Sequence, residues 1–307
     1  MDETQSDSLP PLTAATIKRA QEGLTAARDR EVRHAMEKTL ARLDPLSQEY
    51  PESRASSRLR RFVLRSLLHG LFRIRVEHLE RLPNESAILA ANHLNSIDPL
   101  LLLAELPAQP YYYVFGDGRA LYNKWWKRQI LSFAGGIVPL DRWWKEEKAV
   151  IEGAKCDRAD LVELAKSIER DVPTGSDMLT LRQLNRIAQT ILMRGEGIIL
   201  FPEGRLGTAE GKLYLPLKRG TSIYALQTGV PIVPVVVIGT HDLYLWKELT
   251  IRFGEPLRFP QSKRPKRQEV DAALEALQAA LVALLPTDYQ EPEGLKLCRY
   301  FLNHMLW

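Results

Sequence analysis

Cysteine is nearly absent from this chain of 307 residues: only Cys156 and Cys298 occur, far apart and in no CxxC pair. That argues against a disulfide framework and a cysteine metal site, and it fits a reducing compartment. Long apolar runs are missing too. A membrane-spanning helix needs about 18 nearly uninterrupted apolar residues, and the nearest stretches, Phe62 to Val76 and Ala225 to Thr240, are broken by arginines and by prolines with glycines. Any membrane contact is therefore expected to be peripheral. The first residues, MDETQSDSLPPL, carry acids where a signal peptide has a basic segment and an apolar run, and they lack the acid-poor character of a transit peptide. A cytoplasmic protein is the expectation. No internal repeat, low-complexity tract or GxSxG elbow is found.

What is present is the composition of a folded protein, 45% hydrophobic and 26% charged. The length allows one large core with an appendage, or two modest domains. The net charge of +4 is unevenly placed: residues 1 to 53 hold ten acids and seven bases, whereas residues 54 to 81 hold eight arginines and two glutamates. Such a stretch suits phosphate on a nucleic acid, a lipid headgroup or a small substrate. It can equally be a solvated helix face.

Residues 11 to 43 read as one helix with a thin, alanine-rich stripe, followed by a proline- and serine-containing break over 41 to 57. In SRLRRFVLRSLLHGLF, Leu59, Phe62, Val63, Ser66, Leu67, Gly70 and Leu71 share one side and the arginines largely the other. This helix can lie in a membrane interface or dock its apolar face on the protein's own core. Beyond it, strand-like runs at 87–91, 111–115, 136–140, 198–201, 232–238 and 249–253 alternate with helical patterns near 99–106, 121–133, 158–170, 180–194 and 218–228. The expected fold is α/β: a layered, largely parallel mixed sheet flanked by helices, with helical N- and C-terminal extensions. The expected organisation is an extension over 1–57, a central domain over 58–260, and C-terminal helices over 261–307.

Chemistry enters at AANHLNSIDPLLL, residues 90 to 102. The strand ends just before Asn92 and His93, and Pro99 favours a helix start with Asp98 as its N-cap. His93 then sits in a turn, and a carboxylate five residues on can fold back onto its ring. That pairing would fix the tautomer and raise the basicity of a general base for deprotonating a hydroxyl. The plain alternative is a helix-capping Asp98 and a loop histidine. GGIVPLDR brings Arg142 to another strand end, ILFPEGRLG places Glu203, Gly204 and Arg205 in a turn, and PLKRG supplies Lys218 and Arg219 before VPIVPVVV. A base flanked by cations at strand ends suits acyl transfer onto a phosphate-bearing alcohol.

Taken together, NHLNSID, GGIVPLDR, FPEGR and VPIVPVVV resemble, in order, the four sequence blocks of the glycerophospholipid acyltransferases over residues 58 to 260. The resemblance implies that His93 is the catalytic base, Asp98 its orienting carboxylate, and Asn92, Arg142, Glu203, Gly204, Arg205 and Lys218 the substrate-binding residues. It implies no metal or resident cofactor; the co-substrate would be acyl-CoA or acyl carrier protein carrying the chain. The implied acceptor is 1-acylglycerol-3-phosphate at a membrane lipid surface, the product phosphatidic acid, and nucleic acid is no partner. Glycerol-3-phosphate or another lysolipid is the alternative acceptor, and a non-catalytic membrane-binding protein the alternative class.

The chain departs from the family pattern in two places. Arg205 stands where the family usually has threonine and Leu206 where it has arginine, and residues 143 to 197 form a longer connection than usual. Two clusters, Lys124-Trp125-Trp126-Lys127 and Arg142-Trp143-Trp144-Lys145, suit either a membrane-water boundary or ordinary cation-π packing.

Overall fold

The computed structural model describes residues 9–46, 54–156, 158–175 and 178–304. The chain begins with helices α1 (Ala14–Arg28), α2 (Arg30–Leu43) and α3 (Ser57–Leu71), then strands β1 (Arg73–Glu77) and β2 (Ile88–Ala91) and helix α4 (Asp98–Glu105). Strand β3 (Tyr112–Asp117), helices α5 (Gly118–Tyr122) and α6 (Trp125–Ala134), and strand β4 (Ile137–Leu140) follow. Then come α7 (Lys145–Lys155), α8 (Val162–Asp171), α9 (Met178–Met193), β5 (Gly197–Leu200) and α10 (Gly220–Thr228). The chain continues through β6 (Ile232–Ile238), β7 (Glu248–Phe253), α11 (Arg267–Leu284) and α12 (Arg299–His304).

Two compact units emerge: one holds residues up to Arg54 together with Phe115–Ile187, the other Ala55–Val114 and Ala188 onward. This differs from the linear, three-part organisation expected from sequence. The physical reason lies in the first unit, where Ala20, Leu24 and Ala27 of α1 share one buried cluster with Val150 and Ile151 of α7 and Ala165 and Ile168 of α8. The long connection thus supplies the apolar partner that a thin, alanine-rich stripe needs. What reads as one helix over 11 to 43 is broken at Asp29, which leaves helical geometry (φ −67, ψ 118) and caps α2 by accepting from Glu31 N at 2.8 Å. At the other end of α2, Asp44 accepts both Arg186 Nε (3.0 Å) and Nη2 (2.7 Å). Residues 47–53, within the expected break, and residues 305–307 lie outside the described residues.

At the centre of the first unit Arg119 is almost fully buried, with Nη2 donating to Glu147 Oε2 (2.9 Å) and to the Arg142 carbonyl (2.6 Å). Its Nη1 reaches Glu147 Oε1 and the Gly23 carbonyl (3.1 Å), and Nε stands 3.2 Å from Asp141 Oδ1. Burial pushes the Asp141 carboxyl up to about 6, against the pull of Arg119.

In the second unit six strands run in the order β1-β7-β6-β2-β5-β3, with β3 belonging to it as far as Val114. Among these six only the β6–β7 pair is antiparallel, so the sheet is mixed and mostly parallel, as expected. β2 and β6 are buried at every position, which is why they read as continuous apolar runs. β1 escapes the sequence reading because RIRVE alternates arginine and glutamate with Ile74 and Val76 at an edge of the sheet. The C-terminal segment is tied back by Lys247, whose buried Nζ donates to Glu291 Oε2 at 2.7 Å.

α3 does not turn its apolar stripe to the protein's own core. It packs on α4 through buried Leu68 and through polar contacts: Arg65 and His69 (Nε2, 2.7 Å) both reach the buried Glu105 carboxylate. Arg60 donates to the Tyr112 carbonyl at 3.1 Å. Leu59, Phe62, Val63 and Leu67 are left exposed.

Candidate active site

β2 and β5 are adjacent and parallel, with Ile88 opposite Ile198 and Ala90 opposite Leu200. Their C-terminal ends therefore deliver two turns side by side, the usual place for a site in an open parallel sheet. The first carries His93 and the second Glu203.

The first turn is organised by a single carboxylate oxygen. Asp98 is fully buried, and its Oδ2 accepts from His93 Nδ1 (2.9 Å), Leu94 N (2.7 Å) and Asn95 N (2.8 Å). Asp98 is the first residue of α4, one place later than the expected N-cap, because its carboxylate folds back over the turn. A carboxylate only accepts, so the His93 Nδ1 bears the proton and the neutral ring keeps its lone pair on Nε2. The ring stacks on Phe201 at 4.1 Å, and the side chain remains 20% exposed. The result is an oriented imidazole with one nitrogen held and the other able to accept a proton.

The second turn is locked to the first. Glu203, buried to 1% exposure, accepts from His93 N on Oε1 (2.9 Å) and from Tyr214 N on Oε2 (2.6 Å). Gly207 N donates to the His93 carbonyl at 2.6 Å. Gly204 has φ 67, a conformation costly for residues with a Cβ, and its N–H closes the turn onto Phe201 O at 2.9 Å. Burial pushes the Glu203 carboxyl up to about 7, with the N–H bond from His93 and the imidazole pulling the other way.

Seven of the eight residues expected at the site come together in these turns; Arg142 follows β4 in the first unit. Asn92 and Glu203, expected at the substrate, turn their side chains into the protein. Asn92 is buried, donates Nδ2 to the Val237 carbonyl (3.0 Å) and accepts Val237 N on Oδ1 (2.7 Å). Both therefore act as positioning residues in this geometry. Arg205 lies over the Tyr214 ring, and Lys218 N donates to Pro202 O at 2.7 Å, bringing an exposed lysine to the edge of the same turn. Arg219 pairs with Asp271 at 2.8 Å. Among the described residues, no group of three or more His, Cys, Asp or Glu side chains is placed to hold a metal ion.

Phe201 and Gly207 were not singled out from sequence. Their signals are faint: a phenylalanine directly after a strand, and a glycine at which a Cβ would meet Leu94 Cδ2 at 3.0 Å.

Residues 73–238, from β1 to the end of β6, match the family model described as Acyltransferase. The chain belongs to this acyltransferase family. Both turns lie inside the matched segment. The chain is similar to the 1-acyl-sn-glycerol-3-phosphate acyltransferase alpha of Homo sapiens, 28% identical over 56% of this chain and 48% of that protein. It is also similar to the probable 1-acyl-sn-glycerol-3-phosphate acyltransferase of Mycoplasma pneumoniae, 23% identical over 64% of this chain and 61% of the other. The chain thus spans about half the length of these curated relatives. The crystal structure of the 1-acyl-sn-glycerophosphate (LPA) acyltransferase from Thermotoga maritima aligns with 18% identity and a TM-score of 0.45, covering 90% of this chain and 100% of that one.

Proposed function

We propose that this acyltransferase moves a fatty acyl group from the thioester of coenzyme A or acyl carrier protein to the free hydroxyl of 1-acylglycerol-3-phosphate, giving phosphatidic acid. The observation that carries this reading is the His93 ring, held at Nδ1 by Asp98 and open at Nε2 at the end of β2. His93 Nε2 takes the hydroxyl proton as the oxygen attacks the thioester carbonyl. The tetrahedral intermediate collapses with cleavage of the C–S bond, and the imidazolium returns its proton to the departing thiolate. Asp98 stabilises the transient imidazolium and prevents the ring from rotating. Lys218 and Arg205 sit at the neighbouring turn, where a phosphate monoester finds opposite charge. The acceptor and product together favour peripheral membrane association at the cytoplasmic face. Among the described residues no helix is long and apolar enough to cross a membrane.

The test is an assay of purified protein with acyl-CoA and with acyl-ACP, each against 1-acylglycerol-3-phosphate and glycerol-3-phosphate, following thiol release and the lipid formed. The expected result is acceptor-dependent thiol release with one phosphatidic acid per thiol. Preference for glycerol-3-phosphate would move the proposal to that acceptor, which the Arg205-Leu206 departure from the family turn leaves as the second reading. Thiol release that ignores every acceptor would overturn it.

A further inference from the structure

β6 ends beside the candidate site and secures both of its turns. Its Val237 pairs with Asn92, as described above, and so fixes where the turn of His93 begins. Four residues on, His241 N donates to Glu210 Oε1 at 2.9 Å. Glu210 lies midway along the loop 207–214, which opens with the Gly207–His93 bond and closes where Tyr214 N meets Glu203. The loop separates Arg205 from Lys218, the two cations beside the base, and Arg205 rests on the ring of its last residue. Its ends are thus bonded to the site's own turns, and Glu210 fastens its middle to the end of β6. Burial raises the half-buried Glu210 carboxyl above its ordinary range, against the pull of the main chain at His241 and Gly239. The loop therefore depends on an oxygen that accepts a hydrogen bond more than on a charge.

The peptide that receives Glu210 is itself gripped by residues far along the chain. The family-matched segment stops at Ile238, and the residues after it are held by the C-terminal segment. Leu243 exchanges two bonds with the Asn303 carboxamide (3.0 and 2.9 Å), and Leu245 N donates to Leu297 O at 2.9 Å. Asp242 accepts from Lys296 Nζ and Arg299 Nε, both at 2.7 Å. The same segment begins against the loop: at Gly211, with φ 70, a Cβ would stand 2.8 Å from the Pro286 carbonyl oxygen. We infer that Glu210 is a positioning residue for the acyl acceptor, and that residues 286–304 are the strap that steadies the peptide to which it fastens the loop between Arg205 and Lys218. The inference rests on the acyl-transfer reading and adds to it a residue and a segment outside the motifs. It leaves the base itself untouched, since His93 is held separately by Asp98.

The test joins steady-state kinetics of the full-length protein, with acyl-CoA and 1-acylglycerol-3-phosphate, to hydrogen exchange without substrate. Glu210→Ala should raise the acceptor KM about tenfold, with kcat and the thioester KM within about twofold of wild type. Glu210→Gln keeps an oxygen for His241 N and should restore the acceptor KM. Lys296→Glu with Arg299→Glu sets like charges against Asp242 and should raise the same constant about threefold, with faster exchange at Leu243 and Leu245. The amides of residues 207–214 should exchange faster in Glu210→Ala than in wild type. A wild-type acceptor KM in either the alanine or the strap variant overturns the inference. So does a glutamine variant as impaired as the alanine one, or a loss confined to kcat. If loop exchange quickens but the wild type releases no thiol on addition of acceptor, the acyl-transfer reading is what fails, and the role given to Glu210 falls with it.

Discussion

Two buried charge clusters, one in each unit, are built from the same materials and end in opposite states. Around Arg119 every strong bond is internal: the guanidinium meets both Glu147 oxygens and two carbonyls, with Asp141 beside its Nε, and the cluster holds no nitrogen able to accept a proton. Around Asp98 the carboxylate collects two main-chain N–H groups and one ring nitrogen, and the chain of contacts stops at His93 Nε2. A closed cluster holds a structure together, whereas an open one can pass a proton. Burial and charge alone do not tell them apart; the partly exposed imidazole does.

If that contrast is right, His93→Ala should have the largest effect, lowering turnover by about 10³-fold while the melting temperature stays at the wild-type value; comparable rates would remove the base from the mechanism. Arg119→Met should do the reverse. It strands Glu147, which has no solvent exposure, and should cost about 3–5 kcal/mol in urea denaturation. A loss below about 1 kcal/mol would show that the cluster reorganises.

Glu203→Gln sharpens the comparison, since Glu203 belongs to the open site yet is itself closed. Its carboxyl is raised from 4.5 to about 7, so between those pH values the folded protein keeps a proton that the unfolded chain has released. The stability this contributes is complete below 4.5 and is lost as pH rises through about 7, by up to ~3 kcal/mol. The variant should flatten that slope relative to wild type in denaturation series at several pH values. Asp141 titrates in the same direction in both proteins and cancels in the difference. Asn92→Ala, the smallest effect, should cost about 2 kcal/mol by leaving the N–H and C=O of Val237 unpaired, with KM for the acceptor unchanged. A raised KM at wild-type stability would return Asn92 to the substrate.

Six of the seven strands were legible: the buried inner strands as apolar runs, as in Val235-Val236-Val237, and β7 by the alternation of Leu249, Ile251 and Phe253 with polar residues. The His93–Asp98 pair was legible because both partners lie within one turn. Glu203 was read as a substrate ligand because its real partners, His93 N and Tyr214 N, are 110 and 11 residues away, a separation no local pattern encodes. α7 was missed inside a connection read for its length. The stripe on α3 was visible in the spacing, but spacing fixes which residues share a face and is silent on where that face looks. Glu105, the residue that turns it outward, stands 36 residues beyond His69.

The paired bonds between Asn92 and Val237 have a further consequence. The β2–β6 ladder runs to Ala91 opposite Val235, and the carboxamide of Asn92 then offers Val237 one donor and one acceptor, as another peptide group would. A side chain impersonates the next rung, which releases the backbone at that point to swing out of the sheet. Aspartate has no N–H to give and glutamine is a methylene too long, so a single amide determines where the strand lets go and how far along it the imidazole emerges.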